Sequence, residues 1–178
     1  MAWRPWTMRG MIAVVAVNHR SVLLSAVEPA IDEVNRRLLA ELQADARLTL
    51  AELGRRVGLS APAVAERLAR LERAGVITAY RAEIDPRALG LGLTAIVRVR
   101  PAPGQLANVA ALAARTREVV ECHRVTGEDC FVMTAHVRDV VHLEEVIDRF
   151  VAIGQTTTSL VQSSPVPRRG VALDETGD

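Results

Sequence analysis

Apolar positions in the first half of the chain recur at steps of three and four. Ile31, Val34, Leu38, Leu39 and Leu42 form one such set. At 100° per residue these steps return to one face, which predicts a helix from about Asp32 to Ala44. Asp32 and Glu33 suit its first turn, where a carboxylate meets the positive end of the helix dipole. Leu50, Leu53 and Val57 mark a shorter helix that opens at Thr49, takes Glu52 as its capping-box partner and stops at Gly58. Val64, Leu68 and Leu71 mark a third helix over 61–74, capped by Ser60, tolerant of Pro62 in its first turn and ended by Gly75. Residues 76–84 alternate enough for a short strand pair, or wing, that Asp85-Pro86 closes.

Past the stretch 86–92 the period shortens to two. Residues 94–100 put Ala95, Val97 and Val99 on one face of a strand, which Pro101 and Pro103 close. Leu106, Val109, Leu112 and Ala113 predict a helix over 105–115. Residues 119–126 and 131–137 read as two strands around the tight turn Gly127-Glu128-Asp129. Leu143, Val146, Ile147 and Phe150 predict a second helix, and 156–164 a last strand before Pro165. The order β-α-β-β-α-β is that of a ferredoxin-like domain, whose helices cover one face of the sheet only. Phe131, Val132 and Met133 are consecutive apolar residues and Ile96 lies opposite Ala95 and Val97, so the other face is also partly apolar; an identical sheet is its simplest cover and a homodimer is expected.

The spacing in the first half outlines a helix-turn-helix, with two helices joined by Gly58-Leu59-Ser60. If Val64, Leu68 and Leu71 face the core, then Pro62, Glu66, Arg70 and Arg73 turn outward, with Ala63 and Arg67 on the flank. Small residues at the front let the helix approach bases, and arginines further back reach phosphates or guanine edges. Residues 54–73 hold five arginines (55, 56, 67, 70 and 73) against two glutamates (66 and 72), a local charge of +3. The same residues would also make intrahelical pairs, Glu66 with Arg70 and Glu52 with Arg55, on the solvated face of a plain bundle.

Composition narrows the function. With 178 residues, 24% charged and 49% apolar, the chain is a folded globular protein of one large or two small domains. A net charge of +1 gives no whole-protein case for nucleic acid, so that case rests on where the arginines fall. Every one of the 22 basic residues is arginine. Two cysteines, Cys122 and Cys130, make no disulfide framework and fit a reducing interior. With His123, His136 and His142 they show no metal-ligand spacing, and in a strand Cys122 and His123 point to opposite faces. The apolar run 11–17, preceded by Arg4 and Arg9, is too short to span a bilayer and lacks a cleavage site, so 1–30 reads as an accessory or disordered extension. Gly90-Leu91-Gly92 lacks the third glycine of a dinucleotide loop, and no phosphate loop or nucleophile elbow appears. No enzyme, cofactor or metal is expected.

The helix-turn-helix and wing, the hinge and the ferredoxin-like domain with its turn Thr126-Gly127-Glu128-Asp129-Cys130 together resemble the Lrp/AsnC family of feast/famine transcriptional regulators. The resemblance runs from Asp32 through Ile77-Thr78-Ala79-Tyr80 to Ser164-Pro165-Val166-Pro167. It implies an α+β chain in which a winged helix-turn-helix domain, 31–84, is joined by a hinge, 85–92, to a ferredoxin-like βαββαβ (RAM-type) domain, 93–167, with a tail over 168–178. It also implies a cytoplasmic regulator that binds double-stranded DNA as a homodimer assembling to tetramer or octamer, is tuned by an amino acid or similar metabolite, and has no membrane association. The expected DNA-binding residues are Ser60, Pro62, Ala63, Glu66, Arg67, Arg70, Arg73 and Arg81. By resemblance the effector meets Gly127, Glu128 and Asp129, with Thr156, Thr157 and Thr158 as a neighbouring wall. The sequence departs from a family variant in having Cys130 where that variant has an acidic residue, with Asp129 one place earlier. The rival reading is a small-molecule-binding subunit or enzyme whose helical part serves assembly alone.

Overall fold

The computed structural model describes residues 31–173, which divide into two compact units. The first runs through Tyr80 and takes in Ala172 and Leu173; the second runs from Arg81 to Val171. The expected extension 1–30 and the end of the tail lie outside the described residues. The tail is not wholly separate, because Leu173 packs on the core of the first unit.

Three helices make up that unit: α1 (Glu33–Ala44), α2 (Leu50–Val57) and α3 (Ala61–Arg73). The helices α2 and α3 begin at the polar residues expected to cap them, and Asp32, expected in the first turn of α1, stands just before it as its cap. Asp32 Oδ1 accepts the Asn35 N–H at 2.7 Å, Thr49 Oγ1 that of Glu52 at 3.2 Å and Ser60 Oγ that of Ala63 at 3.4 Å. Such caps each contribute about 1 kcal/mol. The expected return bond of the Thr49 capping box does not form. The Glu52 carboxylate instead pairs with Arg56 Nε at 3.0 Å and with Arg55, since guanidinium partners outcompete a neutral backbone N–H. At the end of α3, Gly75 and Val76 return their N–H groups to Glu72 and Leu71, both at 2.9 Å, which closes the helix with a left-handed glycine.

The apolar stripes meet as expected. Leu38 and Leu39 of α1, Leu53 and Val57 of α2, and Val64, Leu68 and Leu71 of α3 form one buried cluster. Gly54 sits inside this packing: a Cβ there would lie 2.4 Å from the Leu59 carbonyl oxygen in the turn before α3. A missing side chain therefore sets the approach of α2 to the turn.

The expected wing is absent. No strand forms over 76–84; Val76 and Ile77 pack on the helical core and the following residues have no regular structure. The segment holds no glycine, proline or asparagine at its centre to turn the chain, so it cannot fold back on itself. Tyr80 is fixed by donating its hydroxyl to Glu72 Oε1 at 2.9 Å. The expected hinge contains one 3-10 turn, Pro86–Leu89, while the division between units falls earlier, at Tyr80 and Arg81.

The second unit is the ferredoxin-like arrangement: β1 (Leu93–Pro101), α4 (Leu106–Arg115), β2 (Val119–Arg124), β3 (Phe131–Val137), α5 (Val140–Val151) and β4 (Gly154–Leu160). The strands form one antiparallel sheet in the order β2-β3-β1-β4. Strict alternation puts Val97 and Val99 of β1 and Phe131 and Met133 of β3 against Val109, Leu112, Val146 and Phe150 of the helices. The last strand starts and ends earlier than the expected 156–164: Gly154 pairs with Pro101, the last residue of β1, and Leu160 with Ala95. The N-terminus of α5 is tied reciprocally. Asp139 Oδ1 accepts the His142 N–H at 2.8 Å, and His142 Nδ1 accepts the Arg138 N–H at 3.3 Å. That leaves Nε2 as the proton-bearing atom facing the buried Glu118 Oε1 at 3.1 Å.

Gly54→Ala tests the turn geometry. Helix propensity alone favours alanine by about 1 kcal/mol, but overpacking against a backbone oxygen costs on the order of 1–3 kcal/mol. The expected outcome is a lower melting temperature for the helical unit in a thermal unfolding scan.

Candidate nucleic-acid interface and effector site

Burial of Val64, Leu68 and Leu71 fixes which side of α3 is free. Ser60, Pro62, Glu66, Arg70 and Arg73 are exposed, and Ala63 is half-buried at the front. The sequence left two uses open for the arginines, and the structure divides them. Arg55 and Arg56 pair with Glu52, and Arg56 Nη1 also reaches Glu41 Oε2 at 2.6 Å. Arg67 Nη1 donates to Asp32 Oδ2 at 2.7 Å and Asn35 Oδ1 at 3.0 Å. Arg70 and Arg73 make no ion pair or side-chain hydrogen bond among the described residues, and the Glu66–Arg70 pair does not form. The unspent positive charge thus stands at the back of α3, behind a front of small residues. Of the expected charged contact residues on α3, Arg67 is engaged within the unit, because Asp32 and Asn35 present two oxygens within its reach. Arg81 is exposed and opens the second unit, so it is not part of the helical unit at all.

Electrostatics around this face follow from those pairs. The hydrogen bond from Arg67, the Asn35 backbone bond and the charges of Arg67 and Arg70 hold the Asp32 carboxyl below its ordinary range. Burial, together with the hydrogen bond to Glu72, pushes the Tyr80 phenol up to about 12, so it remains a donor at neutral pH.

In the second unit the turn between β2 and β3 spans 125–130 and is closed by the Val125 N–H donating to the Cys130 carbonyl at 2.9 Å. Gly127 takes φ 109°, a conformation that other residues rarely adopt. Glu128 forms an ion pair with Arg100, and Asp129 Oδ2 lies 3.9 Å from Arg98 Nε. Sequence reasoning named the two carboxylates but missed the arginines. Their signal was present as charges alternating with Val97 and Val99 along β1. Register separates the three threonines. Thr157 pairs with Arg98 and shares its face, whereas Thr156 and Thr158 pair with the buried Val99 and Val97 and face the helices. The expected wall of three threonines therefore reduces to Thr157 on the arginine side. Ile96 and Val132 are half-buried on this helix-free face, beside Thr134, Arg98 and His136. No group of three or more histidine, cysteine or acidic residues suited to a metal occurs among the described residues.

A helix-turn-helix with an open basic face, joined to a ferredoxin-like domain with paired charges beside a hairpin turn, defines a DNA-binding regulator with a separate small-molecule domain. Comparison with known proteins agrees. An AsnC-type helix-turn-helix domain matches residues 31–72 and an Lrp/AsnC ligand binding domain matches 94–171. The chain is 40% identical over 121 residues to the HTH-type transcriptional regulator LrpA of Mycobacterium tuberculosis, covering 67% of this chain and 81% of that protein. It is 34% identical to the leucine-responsive regulatory protein of Salmonella typhimurium, covering 74% of this chain and 84% of that one. The feast or famine regulatory protein of M. tuberculosis, solved in complex with L-methionine, superposes with a TM-score of 0.75 at 35% identity, covering 80% of this chain and 99% of that one. The chain belongs to the Lrp/AsnC family of transcriptional regulators; it is a DNA-binding regulator and not an enzyme.

The Asp32 pair sets a pH dependence with a definite sign. A carboxylate held below its ordinary value of 3.8 contributes stability that is complete above that value and is lost as pH falls through the lower, folded one. The melting-temperature difference between the wild type and Asp32→Asn, measured from pH 7 down to pH 3, is therefore expected to shrink only at the acid end.

Proposed function

We propose that this protein is a cytoplasmic, sequence-specific regulator that binds duplex DNA as a homodimer through α3, its affinity tuned by an amino acid or closely related metabolite held beside the β2–β3 turn. The observation that carries the DNA half is the division of the arginines: Arg70 and Arg73 stand exposed on the solvent face of α3 and are unpaired among the described residues. In this reading Ser60, Pro62 and Ala63 bring the helix N-terminus to the groove, Glu66 reads a base edge, and Arg70 and Arg73 meet phosphate or guanine. Arg81 adds a phosphate contact from the start of the second unit.

The effector half rests on charge complementarity. A free amino acid carries a carboxylate and an ammonium a few ångströms apart. Arg98 and Arg100 supply cations for the first, and Glu128 and Asp129 supply anions for the second. Gly127 lets the backbone approach closely, and Thr157, with Thr156 and Thr158 behind it, borders the site from β4. The L-methionine complex of the M. tuberculosis relative supports this class of ligand. Ile96 and Val132 give the helix-free face a small apolar centre suited to a second sheet, and the dimer would present two recognition helices about 34 Å apart, one turn of DNA. Such dimers would assemble further to tetramer or octamer.

Two experiments check the reading. Arg70→Ala is expected to weaken binding to a duplex selected from a random pool and to lower the slope of log affinity against log salt by about 1, with an unchanged melting temperature. Asp129→Ala is expected to abolish the rise in melting temperature that L-methionine or another stabilising amino acid gives the wild type in a thermal-shift assay.

A further inference from the structure

Arg67 lies in the middle of α3, the helix the DNA-binding reading rests on, yet its side chain is spent inside its own unit. Its Nη1 donates to Asp32 Oδ2 at 2.7 Å and to Asn35 Oδ1 at 3.0 Å, partners 35 and 32 residues away in the chain. The Arg67 side chain is only 24% exposed, whereas Arg70 and Arg73 are exposed. Asn35 is itself buried, so the Arg67 bond satisfies an amide oxygen that has left water. Asp32 is used twice: Oδ1 caps α1 through the Asn35 N–H at 2.7 Å while Oδ2 holds Arg67. One carboxylate thereby fixes where α1 begins and where the middle of α3 sits.

This geometry makes Arg67 a poor phosphate ligand. To reach DNA it would have to release two hydrogen bonds, one of them charge-assisted, a penalty of the size of the contact it would gain. A guanidinium held by two oxygens on another helix instead resists rotation of α3 about its own axis, a motion that the aliphatic ridge of Val64, Leu68 and Leu71 opposes only through non-directional packing. Rotation by one residue position, 100°, would carry Glu66 and Arg70 away from the groove.

We infer that Arg67 is a positioning residue for DNA recognition: clamped to Asp32 and Asn35, it sets the rotation of the recognition helix, and it does not touch DNA. The inference rests on the reading of α3 as the DNA-contacting helix.

The test measures affinity and salt slope on one probe, a duplex selected from a random-sequence pool by the wild-type protein, at a temperature where every variant is folded. Arg67→Ala, Asp32→Asn and their combination are compared, with Arg70→Ala as the reference for a true contact. Asp32→Asn keeps an oxygen for the α1 cap, and so gives an answer even if Arg67→Ala fails to fold. The expected result is a loss of roughly tenfold in affinity for each single variant, a double variant no worse than either, and a wild-type salt slope throughout. A slope lowered by about 1 in Arg67→Ala, with Asp32→Asn binding normally, would make Arg67 a phosphate contact and overturn the inference. Lower melting temperatures with unchanged affinity would also overturn it, since the pair would then be structural alone. Failure of the underlying reading looks different: Arg70→Ala would then leave affinity and slope untouched.

Discussion

Everything the helical unit presents to a partner depends on one act of burial, the packing of Val64, Leu68 and Leu71 against Leu38, Leu53 and Val57. Removing one such side chain from a core costs about 2–5 kcal/mol, a large share of a small domain's stability. The apolar ridge decides which side of α3 is dry. Glu66, Arg70 and Arg73 are then exposed by default, and the basic face is the complement of the core. The turn before α3 must be tight for this to work, and Gly54 provides the space by presenting no Cβ to the Leu59 carbonyl.

The ferredoxin-like unit follows the same logic with a period of two. Val97 and Val99 must face the helices, so Arg98 and Arg100 must face away, and the register of β1 with β4 brings Thr157 beside Arg98. The turn from β2 to β3 returns Glu128 and Asp129 to those arginines. A constellation of two cations and two anions thus arises from alternation in one strand and the closure of one turn. Its charges balance one another when no ligand is bound, so a zwitterion would exchange one set of pairs for another at little net electrostatic cost. Within β1 and β3 the same alternation confines the apolar residues of the open face to Ile96 and Val132, with Thr134 and His136 around them.

Most of this was legible in the sequence because it is local. Helix stripes, the caps at Thr49 and Ser60, the acidic start of α1 and the alternation of β1 and β3 each need only a few neighbouring residues, and the structure places them within a residue or two of expectation. What was not legible involves partners distant in sequence or competition between bonds. The wing over 76–84 was inferred from alternation, but a strand needs a second strand, and nothing in that segment turns the chain. The Thr49 capping box has the right letters, yet Arg55 and Arg56 draw Glu52 away. Gly54 leaves no trace in φ, since its role is a close approach, and Leu173 reaches the helical core from the far end of the chain. At the candidate effector site the carboxylates and threonines were found by resemblance, but only register could show that Thr157 alone faces Arg98.

The division of the arginines shows why a count of local charge is a weak guide to a nucleic-acid surface. Residues 54–73 sum to +3, and that sum could describe a bundle with a solvated face as well as a DNA-binding helix. Geometry breaks the tie. Arg55, Arg56 and Arg67 are neutralised by Glu52, Glu41 and Asp32, so their field falls off quickly and they release few counterions on meeting a polyanion. Glu72 is drawn toward Tyr80, which leaves the back of α3 with Arg70 and Arg73 as its dominant unpaired charges among the described residues. Two guanidiniums unpaired among the described residues, at one end of one helix, make a more concentrated positive face than five dispersed ones would. Binding them to phosphate would break no existing bond, because neither is paired among the described residues.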